Sequence, residues 1–236
     1  QLLQASSETK SKQKVAIIMG GYSTERHISV ESGRNIYEKL SSSGKYQPIP
    51  VFLTGKDHEH HLYVLPINVM LKDNADDIKA KVEDYHHAPI ITKIISEAKA
   101  ITMKYTALPP VFEPQKISYD ELASMCDAVF IALHGRPGED GQVQKHLDML
   151  GLPYNGSGVL SSSTTIDKFK TNNILRDQGF LVADGALIDK SDWLENKAKV
   201  MNKVDGMIFP LIAKPSDEGC SSAVKKLKTK AEFEAY

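Results

Sequence analysis

Two loops carry the residue types best suited to chemistry. In the first, the apolar run Phe209–Ala213 ends on Lys214 and enters a small, polar turn through Glu218, Gly219, Cys220, Ser221 and Ser222. Such a turn can wrap backbone N–H groups and one ammonium around phosphate oxygens. An idle ammonium on an apolar strand costs several kcal/mol unless it is paired or turned outward, and a nucleotide's charge would offset that cost. In the second loop, a buried strand delivers His134 into a glycine-rich stretch through Gly135, Arg136, Pro137, Gly138, Glu139, Asp140 and Gly141. Together these suggest a phosphate-handling enzyme. A plain hairpin turn, a surface lysine and a loop-capping histidine are the bland readings of the same residues.

The elements that must position them follow an α/β pattern. Val15–Met19 is a wholly apolar run ending in Gly20 and Gly21, as expected of a strand buried on both faces of a parallel sheet. A helix is expected from His27 to Leu40 with Ser29 as an early cap, then a strand from Tyr46 to Leu53. Asp127–Leu133 reads as a further buried strand, followed by a helix from Gln142 to Leu150 that Gly151 and Pro153 stop. This predicts a doubly wound, mainly parallel sheet whose ligand site lies beyond the strands' carboxyl ends, where the Gly20 and His134 loops emerge. Residues 55–120 break the rhythm with scattered prolines and read as an insertion on the sheet edge. Its histidines (His58, His60, His61, His86, His87) lack the i, i+4 pair of a zinc-protease helix, so a solvated loop is expected there.

From Ser161 the pattern changes to that of an α+β unit. Asp167 and Lys168 close a serine- and threonine-rich cap before a helix to Gln178, which Gly179 ends, and Phe180–Ala183 reads as the start of a strand. A helix is expected over Trp193–Val204, a strand over Met207–Lys214, and a returning strand over Ala223–Leu227. The resulting division is a polar tail 1–13, a first domain 14–160 and a partial second domain 161–236.

Composition bounds the partners. The 236 residues carry 29 Lys and Arg against 30 Asp and Glu, a net charge of −1, so no long-range field favours nucleic acid or an anionic membrane. No span of about 18 apolar residues exists to cross a bilayer. Only two cysteines, Cys126 and Cys220, occur, which implies no disulfide framework and a reducing, cytoplasmic setting. Asn155–Ser157 fits a glycosylation sequon, a triplet common by chance. The chain opens on Gln1 and closes on Tyr236 within a helical pattern, so residues beyond both ends are expected.

Taken in order, Gly20–Ser29, Ala132–Gly141, Gly151–Gly158, Asp167–Lys168 and Lys214–Gly219 resemble the D-alanine:D-alanine ligases of the ATP-grasp superfamily. The resemblance spans residues 14 to 227. It implies a three-domain enzyme of peptidoglycan precursor synthesis that phosphorylates the carboxylate of one D-alanine with ATP, then lets the amine of a second attack the acyl phosphate. Glu25 matches the glutamate that anchors the ammonium of the first D-alanine, although a helix-start acid is favourable at a positive dipole end in any case. His134 matches the histidine beside that substrate, where an imidazole could orient a carboxylate or the nascent acyl phosphate. Lys168 and Lys214 match the lysines that reach ATP phosphates, where positive charge stabilises phosphoryl transfer. Glu218, Gly219, Ser221 and Ser222 fit the family's mobile phosphate cover. The resemblance also implies a homodimer.

Three residues depart from the family pattern. Cys220 stands where a serine hydroxyl links the anchoring glutamate to a tyrosine closing the site, and a thiol is a poor substitute donor. Ala223 replaces a glycine, which stiffens the turn or requires a negative φ. His27 replaces an acidic residue. The family's Mg²⁺ ligands are expected downstream of Tyr236, so the 236-residue portion alone is expected not to turn over. Two alternatives stay open: a non-catalytic binding module that keeps the fold, and a ligase joining D-alanine to D-lactate.

Overall fold

The computed structural model describes residues 12–84, 89–105, 111–217 and 223–236. The polar tail falls almost wholly outside these residues, as do His86 and His87 and residues 218–222, that is Glu218, Gly219, Cys220, Ser221 and Ser222. The chain divides between Gly158 and Val159 into two compact units.

In chain order the first unit contains β1 (Gln13–Gly20), α1 (Arg26–Ser41), β2 (Tyr46–Lys56), β3 (Glu59–Val64), α2 (Ile67–Lys72) and α3 (Ala75–Glu83). It continues with α4 (Pro89–Tyr105), β4 (Gln115–Ile117), α5 (Tyr119–Met125), β5 (Ala128–Ile131) and α6 (Gln142–Met149). The strands form one sheet in the order β4-β3-β2-β1-β5. β1 lies between two parallel neighbours, with Ile18 opposite Val51 on β2 and Ile131 on β5. The insertion extends the far side antiparallel, β3 on β2 and β4 on β3. The sheet is therefore mixed, within an α/β fold. Pro48 and Pro50 of β2 fall in the stretch that β3 does not pair, where a missing N–H disrupts no ladder to β3.

Because side chains alternate along a strand, β1 feeds two cores at once. Ala16 and Ile18 join Val51, Leu53, Leu62, Val129 and Ile131 beneath Leu122 of α5 and Val143 and Leu147 of α6. Ile17 and Met19 join Phe52, Tyr63 and Leu65 beneath Val30 of α1, Met70 of α2 and Ile78 and Val82 of α3. Helices thus cover both faces of the sheet, and full burial of each of these aliphatic side chains stabilises by about 1.5–3 kcal/mol. α1 approaches β1 closely because Gly33 has no side chain: a Cβ there would lie 2.7 Å from Met19 Cε.

The outer edge of β5 is closed without another strand. Val129 N–H donates to Pro153 O at 2.8 Å, Ile131 N–H donates to Asn155 Oδ1 at 2.6 Å, and Asn155 Nδ2 donates back to Ile131 O at 3.3 Å. The His-rich segment is not the expected solvated loop. His60 and His61 lie within β3, since the free edge of β2 offers a full ladder of partners, and only His58 sits at the turn, at φ 60°.

The second unit contains α7 (Val159–Thr165), α8 (Lys168–Asp177), α9 (Lys190–Glu195), α10 (Lys197–Val204), β6 (Leu211–Ala213), β7 (Lys225–Leu227) and α11 (Lys230–Ala235), with β6 and β7 antiparallel. The serine-rich stretch forms a helix of its own, and Asp167 alone caps α8 by accepting from Lys170 N–H. The strand expected from Phe180 is absent among the described residues: Leu181 is fully exposed, with no apolar surface to bury it. The helix expected over Trp193–Val204 breaks at Asn196, whose side chain caps α10. No helix among the described residues is long and apolar enough to cross a membrane.

Candidate functional site

In the first unit the site is built where β1 and β5 end together. Ser29 was expected as a helix cap, but it lies inside α1 and is fully buried. Its hydroxyl accepts from Gly20 N–H at 2.9 Å and donates to Ala132 O at 2.9 Å. One side chain thereby ties the helix to the last residues of both strands. This fixes where the Gly21 and His134 loops begin.

Ser23 links those loops to each other. Its hydroxyl donates to His134 O at 2.7 Å and accepts from Glu25 N–H at 3.2 Å. Glu25 occupies the N-cap position of α1 without a side-chain cap bond, and it is partly buried. Its carboxylate lies over Gly135, where a Cβ would come within 3.3 Å of Oε2 and 2.9 Å of Ser23 Oγ. Gly135 also adopts φ +67°, so both conformation and space favour glycine there. Among the described residues no hydrogen bond or ion pair engages the Glu25 carboxylate. The His134 ring turns towards α1, with Nε2 2.9 Å from Ser32 Oγ.

The rest of the loop is braced from beneath. Gly138 and Glu139 N–H both donate to Gly135 O at 2.9 Å, and Gln144 of α6 donates to Gly138 O at 2.6 Å. Arg136 Nε lies 3.4 Å from Asp140. Glu25 and His134 are thus brought together by the serines Ser23, Ser29 and Ser32, none of which sequence reasoning placed in the site. Their signal was the spacing of hydroxyls around the Gly20 turn, with Ser29 and Ser32 on one face of the following helix.

Beside this site lies a cluster that the sequence did not announce. Tyr119 stacks on His146 at 4.3 Å between ring centroids, His60 meets His146 edge-on at 5.6 Å, and Tyr22 lies 6.4 Å from His60. His60 Nδ1 is 3.0 Å from Tyr119 Oη, while its Nε2 is buried without a hydrogen-bond partner among the described residues. Burial, then the neighbouring His146, hold the His60 imidazole below its ordinary range, with Gln142 and Asp140 partly opposing them. Burial and the nearby Asp140 and Asp57 carboxylates push the Tyr22 phenol up to about 12. Gln142 joins these groups, its Nε2 donating to Asp140 and Asp57 at 2.8 and 2.6 Å.

In the second unit Lys168 opens α8. Its N–H donates to Ser216 O at 2.8 Å and its Nζ reaches the same oxygen at 3.4 Å. Lys168 is thereby held against the segment two residues beyond Lys214. The helix's own first N–H groups are largely occupied, by Ser216 O and by Asp167, so the local positive charge comes from the lysines rather than from the helix end.

Two expectations are corrected here. Lys214 is exposed, because β6 is only three residues long and leaves Ile212 58% exposed; no burial cost holds its ammonium in place. Ala223, for which a stiffened turn or a negative φ was expected, does not take the negative φ: it adopts φ 58°, with its carbonyl accepting from Tyr236 Oη at 2.6 Å. Cys220 and the cover residues Glu218, Gly219, Ser221 and Ser222 lie outside the described residues. Among the described residues no group of three or more His, Cys, Asp or Glu side chains could hold a metal ion. Lys168, held at Ser216 O, and the exposed Lys214 two residues before it are cations of the type that pair with phosphate oxygens.

Comparison with known proteins gives concordant results. A family described as D-ala D-ala ligase N-terminus matches residues 14–157. The D-alanine–D-alanine ligase of Chlorobium limicola is 30% identical over 218 residues, covering 92% of this chain and 55% of that protein. Among solved structures, the D-alanine–D-alanine ligase of Coxiella burnetii is 27% identical with a TM-score of 0.59, covering 96% of this chain and 57% of that one. The Bacillus anthracis D-alanine–D-alanine ligase complexed with ATP is 26% identical with a TM-score of 0.57, covering 96% and 52%. The chain thus spans little more than half the length of the proteins it matches.

Proposed function

Because the chain belongs to the D-alanine–D-alanine ligase N-terminus family, we propose that it supplies the substrate side, and part of the nucleotide side, of an ATP-dependent ligase that joins two D-alanines for peptidoglycan precursor synthesis. The observation that carries this reading is the Glu25 carboxylate. It is partly buried, lies over the bare Cα of Gly135, and is unclaimed by any described residue, so it is available to an ammonium from outside the protein. A carboxylate held in this way forms charge-assisted hydrogen bonds, which are stronger than neutral ones.

In this reading Glu25 anchors the ammonium of the first D-alanine, and His134 faces its carboxylate end. Ser23 keeps the two in register through its bonds to Glu25 N–H and His134 O. ATP, when bound, supplies the phosphoryl group that activates the carboxylate as an acyl phosphate. Lys168 and Lys214 hold its phosphate oxygens and neutralise charge there. In the same reading Glu218, Gly219, Ser221 and Ser222 serve as the cover of those phosphates, with Cys220 among them in the sequence. Mg²⁺ belongs to this reading as the usual companion of transferred phosphates. The same family reading extends to a cytoplasmic setting and to a homodimer.

The test is calorimetric or NMR titration of D-alanine into the wild-type protein and Glu25→Gln. Saturable binding is expected for the wild type. The amide variant should bind about 10- to 100-fold more weakly, the worth of one hydrogen bond to a charged group. Equal affinity in the two proteins would remove Glu25 from the site and with it the observation on which the reading rests.

A further inference from the structure

We propose that Asp140 is a positioning residue that holds the Arg136 guanidinium away from Glu25 and so keeps the Glu25 carboxylate open to the substrate ammonium. This rests on the reading of Glu25 as the ammonium anchor.

Two arginines flank that carboxylate. Arg26 follows Glu25 in the chain, and Arg136 follows Gly135, the residue over which the carboxylate lies. Glu25 Oε2 is 3.3 Å from where a Cβ on Gly135 would stand, and the Cα atoms of Gly135 and Arg136 are one chain step of about 3.8 Å apart. An arginine side chain is longer than that step, and its fork pairs readily with a carboxylate. Such a pair would occupy the oxygens that an incoming ammonium needs. Both arginines are drawn off instead: Arg26 is ion-paired with Asp76 of α3, and Arg136 Nε lies 3.4 Å from Asp140 Oδ2.

The surroundings of Asp140 suit it to this hold. Its side chain is only 7% exposed, against 39% for Arg136. A buried carboxylate needs partners, and it retains a cation more strongly than an exposed one does. Gln142 fixes its orientation, with the backbone N–H donating to Oδ1 at 3.1 Å and Nε2 donating to Oδ2 at 2.8 Å. A carboxylate only accepts hydrogen bonds, and the other end of the Gln142 amide, Oε1, accepts from His58 N–H at 3.1 Å. The direction of each contact to Asp140 is therefore set by its partners.

The place of the guanidinium is read without ligand from the Arg136 Nε–H resonance of arginine-labelled protein, which Arg136→Gln identifies by its loss. Glu25→Gln should leave that resonance where it is; a shift would place the guanidinium at Glu25 already and overturn the proposal. Asp140→Asn should move the resonance, and adding Glu25→Gln to Asp140→Asn should move it again. The Glu25→Gln spectrum decides the question even if Asp140→Asn does not fold.

D-alanine titration reads the consequence. Asp140→Asn should bind about 5- to 10-fold more weakly, the range from an exposed ion pair to a hydrogen bond with a charged group. Arg136→Gln alone should bind as the wild type does, and Asp140→Asn combined with Arg136→Gln should recover wild-type affinity. A double variant as weak as Asp140→Asn would show that Asp140 acts through the shape of the loop, and a loss in Arg136→Gln alone would put the guanidinium on the substrate; either result refutes the proposal. The spectra need no ligand, so absence of D-alanine binding to the wild type would refute the functional reading of Glu25 separately from the hold of Asp140 on Arg136.

Discussion

Replacing Ser29 by alanine tests the central structural claim, that one hydroxyl registers the two strand ends on which the site is built. The substitution removes the donor to Ala132 O and the acceptor for Gly20 N–H, each at 2.9 Å, in a side chain that is fully buried. Each backbone group left unsatisfied costs about 1–3 kcal/mol. The hydroxyl's departure leaves a space too small for a water of about 30 Å³ to replace both bonds. Alanine returns about 0.5 kcal/mol through its higher helix propensity. The net loss should be about 2–4 kcal/mol, which lowers the urea midpoint by about 1–2 M at a slope of about 2 kcal/mol/M. Circular dichroism is the suitable probe, because the single tryptophan, Trp193, lies in the second unit and does not report on α1. Hydrogen exchange at the Gly20 amide should accelerate in the same variant, since its protection depends on the Ser29 acceptor. Ser41→Ala, at an exposed site, serves as the control and should stay within about 0.5 kcal/mol. A Ser29→Ala loss below about 1 kcal/mol with Gly20 exchange unchanged would show that neither backbone group depends on this hydroxyl.

Two further outcomes are expected. The His60 imidazole titrates below its ordinary 6.5 in the folded chain, through burial and then His146, so the unfolded chain binds more protons at mildly acid pH. Stability should therefore fall as pH drops through 6.5 towards the folded value, and His60→Phe should flatten that slope, which is at most about 1.4 kcal/mol per pH unit for one proton. The groups facing His60 are Tyr22, His58, Tyr119, Asp140, Gln142 and His146; an unchanged urea-midpoint profile between pH 7 and 5 in the variant would show that His60 is not the titrating member. Ala223→Gly should stabilise the second unit by about 0.5–1 kcal/mol, because φ 58° strains an alanine more than the extra freedom of glycine costs in the unfolded chain. Trp193 fluorescence during denaturation reads this, and a lowered midpoint would contradict it.

Much of the fold was legible because it depends on local patterns. The five apolar residues Val15–Met19 read as a strand covered on both sides, and the structure divides Ala16–Met19 between two cores. The loops carrying Glu25 and His134 were legible as loops, since their glycines mark where strands stop. What binds them together was not legible, because Ser29 bonds residues 9 and 103 positions away, and no spacing in the chain records a clamp of that range. β3 was missed for a related reason. Glu59, His60 and His61 supply no apolar alternation, and the strand forms because β2 offers an unpaired edge and Leu62, Tyr63 and Val64 find cores already built. The error at Lys214 ran the other way: the apolar run before it promised burial, but apolar residues commit to a core only where a partner surface exists, and Ile212 remains largely exposed.

Asn155 gives the border of the sheet a different meaning. By engaging both the N–H and the carbonyl of Ile131, its amide imitates one residue of a neighbouring strand and then ends, since a side chain offers no second ladder to continue. At the opposite border β4 is three residues long. A sheet finished in this way has little to offer an extended chain from another molecule, which protects a protein crowded at high concentration from growing edge to edge. It also commits one of the two amide hydrogens of Asn155 and its carbonyl oxygen, so the residue that forms the sequon already serves to close the sheet.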